Sequence, residues 1–378
     1  MDALRPAGAA SGLLAELSLV DGHCHLVSRN PLDGDAFELA VTEADRPAPA
    51  GVSYLETQVG FAIRRWCAPV LGLPPHSSAA DYLRRRHEVG PAEVLRRLVG
   101  AAGLAELLVD TGLSGGSLCS VDELSAAGPA VHEVVRLEAV AEQVAAAGVS
   151  AAEFAGAFRG ALHAAAERAV AVKSIVAYRH GLDVAPALPT AREVEAAAGA
   201  WLASGGRLVD PILLRFVLWA GVDTGLPVQL HTGFGDRDLA MRHADPTRLQ
   251  PWLAAVEPTG VPVVLLHCYP FHRQAGWLAL VYPGVYVDVG LTIGHAGARA
   301  RQVLAEFCEL TPFGKLLFST DAYLLPELYL VGAAQFRQAL GELLDGWLAD
   351  SAMSTTDACR TGRMIAGDNA RRLYRLDH

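Results

Sequence analysis

Eight short apolar segments, recurring along the chain with helix-like stretches between them, restrict its fold more than any other feature. They are Leu17–Leu26, Ala105–Thr111, Val131–Glu138, Ala169–Ile175, Leu226–Thr232, Val261–Cys268, Gly284–Leu291 and Lys315–Asp321. Several are near-continuous hydrophobic runs, such as Val-Pro-Val-Val-Leu-Leu at 261–266. Strands buried on both faces of a parallel sheet read this way, whereas half-exposed strands alternate. Between most of them lie Ala-, Leu-, Glu- and Arg-rich stretches with helical spacing, at 139–147, 151–168, 191–203, 211–224, 247–256 and 298–310. Gly and Pro punctuate the joins, as in Gly225-Leu226-Pro227 and Gly260-Val261-Pro262. Eight strands alternating with helices point to an α/β fold, a (β/α)8 TIM barrel, with a doubly wound open sheet as second choice. The 378 residues suffice for one such barrel, and 1–378 is read as a single barrel domain.

Two regions exceed the bare repeat. Residues 30–104 separate the first two strands by more than one crossover helix requires. Their part from Thr57 to Gly103, rich in Arg, Leu and aromatics, is expected to be a helical insertion beside the barrel mouth. It reads equally as a lid or as an element for stability or for self-association into a homo-oligomer. After the eighth strand, Pro326–Leu348 and Asp357–Leu376 read as C-terminal closing helices.

Composition removes several function classes. A formal net charge of −10 argues against a nucleic-acid binder, which needs a basic patch. No apolar run reaches the roughly 18 residues that span a bilayer, so no membrane role is expected. The first residues lack a basic region before an apolar one, and a cytoplasmic protein is expected. The six Cys are scattered without a C-x-x-C pair and read as reduced thiols.

The strand ends carry the chemistry. In a barrel the carboxyl ends of all strands converge on one mouth, where active sites lie. Strand one ends in His23-Cys24-His25; by strand alternation the two imidazoles share a face and Cys24 points away to pack. Lys173 stands near the end of strand four, His231 of strand five, His267 of strand six and Asp321 of strand eight. Each alone has an ordinary account: a core histidine, a helix N-cap, a snorkelling lysine. Six metal-competent groups at five strand ends in register make a metal centre the better reading. Past these ends, Tyr178 and Arg179 lie on a loop where an arginine can grip a carboxylate through two parallel hydrogen bonds or form a surface ion pair. Asp236, Tyr269 and Arg273 follow His231 and His267 and read as substrate contacts or as loop structure.

The motifs that hold these residues resemble those of the metal-dependent amidohydrolase superfamily, and within it the FluG-like amidohydrolases. They are Val20-Asp21-Gly22-His23-Cys24-His25, Val172-Lys173-Ser174, His231-Thr232-Gly233-Phe234-Gly235-Asp236, His267-Cys268-Tyr269-Pro270-Phe271, Asp288-Val289-Gly290-Leu291, Ser319-Thr320-Asp321-Ala322 and the closing Gly367-Asp368-Asn369-Ala370-Arg371-Arg372-Leu373-Tyr374. The resemblance implies a barrel with one or two divalent ions, zinc being the expected one. It places a first ion on His23, His25 and Asp321 and a second on His231 and His267. Lys173, if carboxylated, would bridge them.

The function expected is therefore a metal-dependent hydrolase that cleaves a C–N, amide-type bond of a small, carboxylate-bearing molecule. Metal-activated water would attack, Asp321 would act as general base and then acid, and His267 and Lys173 complete the candidate catalytic set. A decarboxylase on the same ligands is the alternative. A non-catalytic barrel serving as an interaction module is the third reading; it should have lost ligands, and all six positions are filled.

Overall fold

The computed structural model describes residues 8–113 and 116–376. Eight parallel strands pair in sequence order: β1 (Leu19–Cys24), β2 (Leu104–Asp110), β3 (Ala130–Arg136), β4 (Ala169–Ser174), β5 (Val228–Thr232), β6 (Val263–His267), β7 (Val285–Asp288) and β8 (Leu316–Leu317). Every residue of β5 and β6 is buried, as expected for strands covered on both faces. The (β/α)8 expectation holds, and the open doubly wound sheet does not.

Helices α1 (Ala9–Glu16), α2 (Gly34–Ala40), α3 (Gln58–Val70), α4 (Ala79–Val89), α5 (Pro91–Ala101) and α6 (Val121–Ser125) precede β3. The crossovers and mouth helices are α7 (Leu137–Ala146), α8 (Ala151–Ala166), α9 (Val176–Arg179), α10 (Ala191–Ser204), α11 (Pro211–Asp223), α12 (Gln250–Val256), α13 (His272–Val281), α14 (Thr292–Ala296) and α15 (Ala300–Phe307). After β8 come α16 (Pro326–Ala349), α17 (Thr355–Arg363) and α18 (Asn369–Tyr374). Their starts are written in the sequence. Thr190 caps α10 in a box with Glu193, and Asp210 accepts from Ile212 and Leu213 ahead of Pro211 in α11.

Two strands end well before their apolar runs do. The expected β8 reached Asp321, but pairing with β7 stops at Leu317 because the chain then turns toward β1. There Gly22 donates to the Phe318 carbonyl at 2.9 Å, Asp321 to the His23 carbonyl at 3.0 Å, and His25 to the Ala322 carbonyl at 2.8 Å. These bonds draw the barrel shut. A Cβ on Gly22 would lie 3.1 Å from the Phe318 oxygen, a tight contact that a larger residue could make only if the turn gave way slightly. The expected β7 likewise stops at Asp288, and Leu291 takes a positive φ of 57° at the start of α14.

The core has two layers. Val20, Leu108, Val134, Ala171, Val264, Leu266 and Leu317 fill the barrel interior, and Ala370, Leu373 and Tyr374 of α18 close its floor. The larger cluster packs the outer face of the sheet against the helices, and Cys24 belongs to it. Val20 and His23 both face inward although three residues separate them; the register shift between Asp21 and Cys24 makes that possible.

The insertion is anchored through one buried ion pair. Arg86 of α4 and Glu327 in the first turn of α16 meet at 2.6 Å, and Tyr82 donates to the same carboxylate oxygen at 3.0 Å. Glu327 thus ties α4 to the segment after Asp321. Arg86 lies over the Phe37 ring of α2, so the tie extends to the helix before loop 41–57. Glu327→Leu leaves the Arg86 charge buried and unpaired, and is expected to lower stability by about 3–5 kcal/mol, read as a lower urea midpoint. The double variant Arg86→Met/Glu327→Leu should regain most of that loss.

Candidate metal and active site

Four side chains converge at the mouth. Asp321 Oδ1 lies 3.3 Å from Nε2 of His23 and 3.3 Å from Nε2 of His25. Its Oδ2 lies 3.5 Å from Nε2 of His267. Nitrogen and oxygen ligands about 2.1 Å from a tetrahedral ion are about 3.4 Å apart, so these spacings are those of atoms sharing one cation. His23, His25 and Asp321 form a group whose ligand atoms all lie within 4.8 Å of one another.

Partners behind the imidazoles fix which nitrogen faces the mouth. Gln229 Nε2 donates to the Gly22 carbonyl at 2.8 Å, which orients the amide so that its Oε1 accepts from His23 Nδ1 at 2.9 Å. His23 is thus protonated on Nδ1 and bare on Nε2. Gln229 also bonds the Tyr374 hydroxyl at 2.9 Å, linking the floor helix to the ligand. His25 turns Nδ1 toward the Asp110 carbonyl, 3.4 Å away, again leaving Nε2 toward Asp321.

The electrostatics suit a cation. Burial, with Lys173 adding to it, pushes His23 down to about 3; burial also brings His267 to about 3 and His231 well below its usual value. Burial acts to raise the Asp321 carboxyl, but His267, His23 and His25 outweigh it and hold it well below the carboxylate range. The cluster is therefore neutral imidazoles around an ionised carboxylate. His231 Nε2, both ring nitrogens of His267 and Asp321 Oδ1 are buried without a hydrogen bond. Orphaned buried donors of this type fit a divalent ion.

Lys173 is buried and its Nζ lies 2.8 Å from His23 Nε2 and 4.0 Å from Asp110 Oδ2. Burial lowers its amine to about 8, against the pull of Asp110 and Asp321. His231 and His267 stand side by side, ring centroids 4.7 Å apart, and Tyr178 packs 4.6 Å from His231. All six sequence-derived ligand candidates thus gather at one mouth.

The substrate candidates divide. Tyr178, Arg179 and Asp236 line a cavity of about 420 Å³ together with His25, Lys173, His231, His267 and Asp321. Arg179 also pairs with Glu142 at 3.2 Å. Gly235 lets loop 233–238 close over the site: a Cβ there would fall 3.1 Å from His231 Nε2 and into the Tyr178 hydroxyl. Tyr269 and Arg273 do not line this cavity. Tyr269 is 40% exposed and stacks on His272, while Arg273 reaches outward to Glu309 at 2.9 Å, because α13 turns that face to solvent.

Several site residues escaped the sequence reading. Asp110 and Arg136 form a buried ion pair at 2.6 Å at the ends of β2 and β3, and the strand-end rule that found the others would have found them. Gln229 shares the strand face of His231 by period two. Glu43 gave no signal, because it comes from the loop after α2 and reaches the mouth only in the folded chain. Burial, then Asp321 and Asp236, lift its carboxyl to about 8.

Comparisons with known proteins agree with this geometry. The amidohydrolase family model matches residues 122–376, and the chain belongs to that family. It is 33% identical over 224 residues to protein fluG of Emericella nidulans, a match that takes in 55% of this chain and 26% of that protein. The chain therefore spans only about a quarter of that relative's length. Among solved structures it resembles a protein classed as a metal-dependent hydrolase from Lactobacillus casei ATCC 334, with TM-score 0.88, 29% identity and coverage of 98% and 99% of the two chains. The fold is also shared with glucuronate isomerase of Caulobacter crescentus, at TM-score 0.69 and 16% identity, covering 100% of this chain and 96% of that one. Membership of the family implies a divalent metal. No described helix is long and apolar enough to cross a membrane.

Gln229→Leu removes the acceptor behind His23 without touching a ligand atom. Its divalent-metal affinity is expected to fall about 10–100-fold in competition with a chromogenic chelator. Unchanged affinity would take His23 out of the ligand set.

Proposed function

We propose that this protein is a metal-dependent hydrolase of a C–N, amide-type bond in a small substrate that bears a carboxylate. The single observation that carries the reading is the convergence of His23, His25 and His267 on the two oxygens of Asp321. His23, His25 and Asp321 would hold one ion, with zinc matching the nitrogen and carboxylate donors. His231 and His267 would hold a second, with Lys173 between the two groups. When bound, such an ion polarises the scissile carbonyl and lowers the pKa of attacking water to about 7.

The chain's own residues do the rest. Asp321 takes the proton from the attacking water as its oxygen bonds to the carbonyl carbon. It then returns that proton to the leaving nitrogen as the C–N bond breaks, so that an acid and an amine result. A carboxylate held this far below its usual range is a weak base, and it serves only because the water it deprotonates is itself acidified. His231 and His267, kept neutral by burial, keep their lone pairs available. Arg179 stands on the cavity wall, where a substrate carboxylate can be gripped and the amide turned toward Asp321.

Chelation should abolish turnover, and zinc should restore it. Asp321→Asn is expected to cost about a hundredfold or more in kcat with the fold retained by circular dichroism. Release of CO2 rather than amine from an amide and carboxylate panel would replace this reading with a decarboxylase. Lys173→Ala is expected to reduce the metal content of purified protein by one ion per chain; an unchanged count would assign a single-ion site.

A further inference from the structure

The cavity over the site is electrically divided. Arg136, Arg179 and Arg207 line it, and so do Glu43 and Asp236 beside Asp321. Arg207 offsets part of the charge of Asp236, but Glu43 has no such partner. The charged groups that act on Glu43 are Asp321 and Asp236, with no arginine among them. Those that act most on Arg179 are Glu142, Arg207, Glu138 and Arg136.

Most of the charges have partners. Arg136 is held by Asp110 at 2.6 Å, and Arg207 by Asp238 at 2.8 Å. Two do not. The Arg179 side chain is only 8% exposed, and its Nε and Nη1 have no hydrogen-bond partner, Nη2 alone reaching Glu142. Glu43 has neither a hydrogen bond nor an ion pair among the described residues, and it faces two further carboxylates. A buried guanidinium edge left open and a carboxylate left among carboxylates each cost stability unless a ligand completes them. Both line one cavity, so one ligand can complete both.

We propose that the cavity takes a dipolar amide, a substrate with one carboxylate and one ammonium group besides the scissile C–N bond, the carboxylate on Arg179 and the ammonium on Glu43 and Asp236. The inference rests on the hydrolase reading for the bond that breaks, but not for the two charges that are recognised. A second carboxylate would be set beside Asp236 and the acidic Glu43 with no cation to meet it, and a neutral amide would leave both open groups unsatisfied. An ammonium beside Glu43 also draws its carboxyl back to the ionised form.

Four amides of one chain length separate the charges: butyramide with neither, glutaramate with the carboxylate alone, 4-aminobutyramide with the ammonium alone, and glutamine, as each enantiomer, with both. Zinc-loaded full-length protein is assayed for ammonia release, and binding of each is measured by calorimetry. One enantiomer of glutamine is expected to exceed the other three compounds by about tenfold or more in kcat/KM and in affinity, the scale of one charge-assisted hydrogen bond. Glu43→Gln should bring glutamine down to the level of glutaramate, and Arg179→Met to that of 4-aminobutyramide. Cleavage of butyramide or glutaramate as fast as glutamine overturns the dipolar inference and leaves amide hydrolysis standing. Preferential binding of glutamine without ammonia release does the reverse. If none of the four binds or is cleaved, the dipolar inference falls.

Discussion

The seam between β1 and the segment after β8 is the contact on which the rest depends. Asp21 accepts from the Thr320 amide at 2.9 Å and from its hydroxyl at 2.5 Å, and its carboxyl, buried without a counter-charge, is lifted to about 8. It accepts from the His23 amide as well. One buried side chain therefore fixes the start of the strand end that carries His23 and the turn that carries Asp321. Main-chain bonds on either side repeat the link. Closing the barrel and assembling the metal-competent group are one event, because the same few residues do both.

From that seam the site is supported in two directions. Below, Tyr374 of the floor helix holds Gln229, which holds His23 in the tautomer that leaves Nε2 bare. A C-terminal helix far from the mouth thus bears on a ligand through two hydrogen bonds. Beside it, Glu327 follows Asp321 by six residues and is gripped by Arg86, so the insertion packs directly against the loop that positions Asp321. Loop 41–57 lies between α2 and α3 of that same insertion and brings Glu43 to the cavity.

The site also concentrates local cost. His267 and Asp321 both adopt positive φ, at 66° and 52°, a region that side chains with a Cβ rarely occupy. Such conformations persist where the surroundings over-determine them. The His267 amide is held by Asp288 at 2.8 Å, and Asp288 accepts from Ser319 at 2.7 Å, two residues before Asp321. His267 after β6 and Asp321 after β8 are thereby set by one carboxylate at β7.

Much of this was legible in the sequence, and for a local reason. Buried parallel strands are continuous apolar runs, helix starts carry caps, and a strand end is visible as a polar residue after such a run. That sufficed for the barrel, for the helical region 57–103 and for His23, His25, Lys173, His231, His267 and Asp321. What depends on residues far apart in the chain was not legible. The inward turn of both Val20 and His23 needs a register shift that no periodicity shows. The early end of β8 follows from pairing with β1, which lies some 300 residues away. Tyr269, just before α13, and Arg273, on its outward side, sat near His267 in sequence but turn away from the cavity, while Glu43, from an insertion without strand character, lines it. Sequence determined which groups stand at the strand ends, because alternation and burial act over a few residues. Tertiary structure decided which way loops and helices turn above those ends, because packing between distant segments sets that.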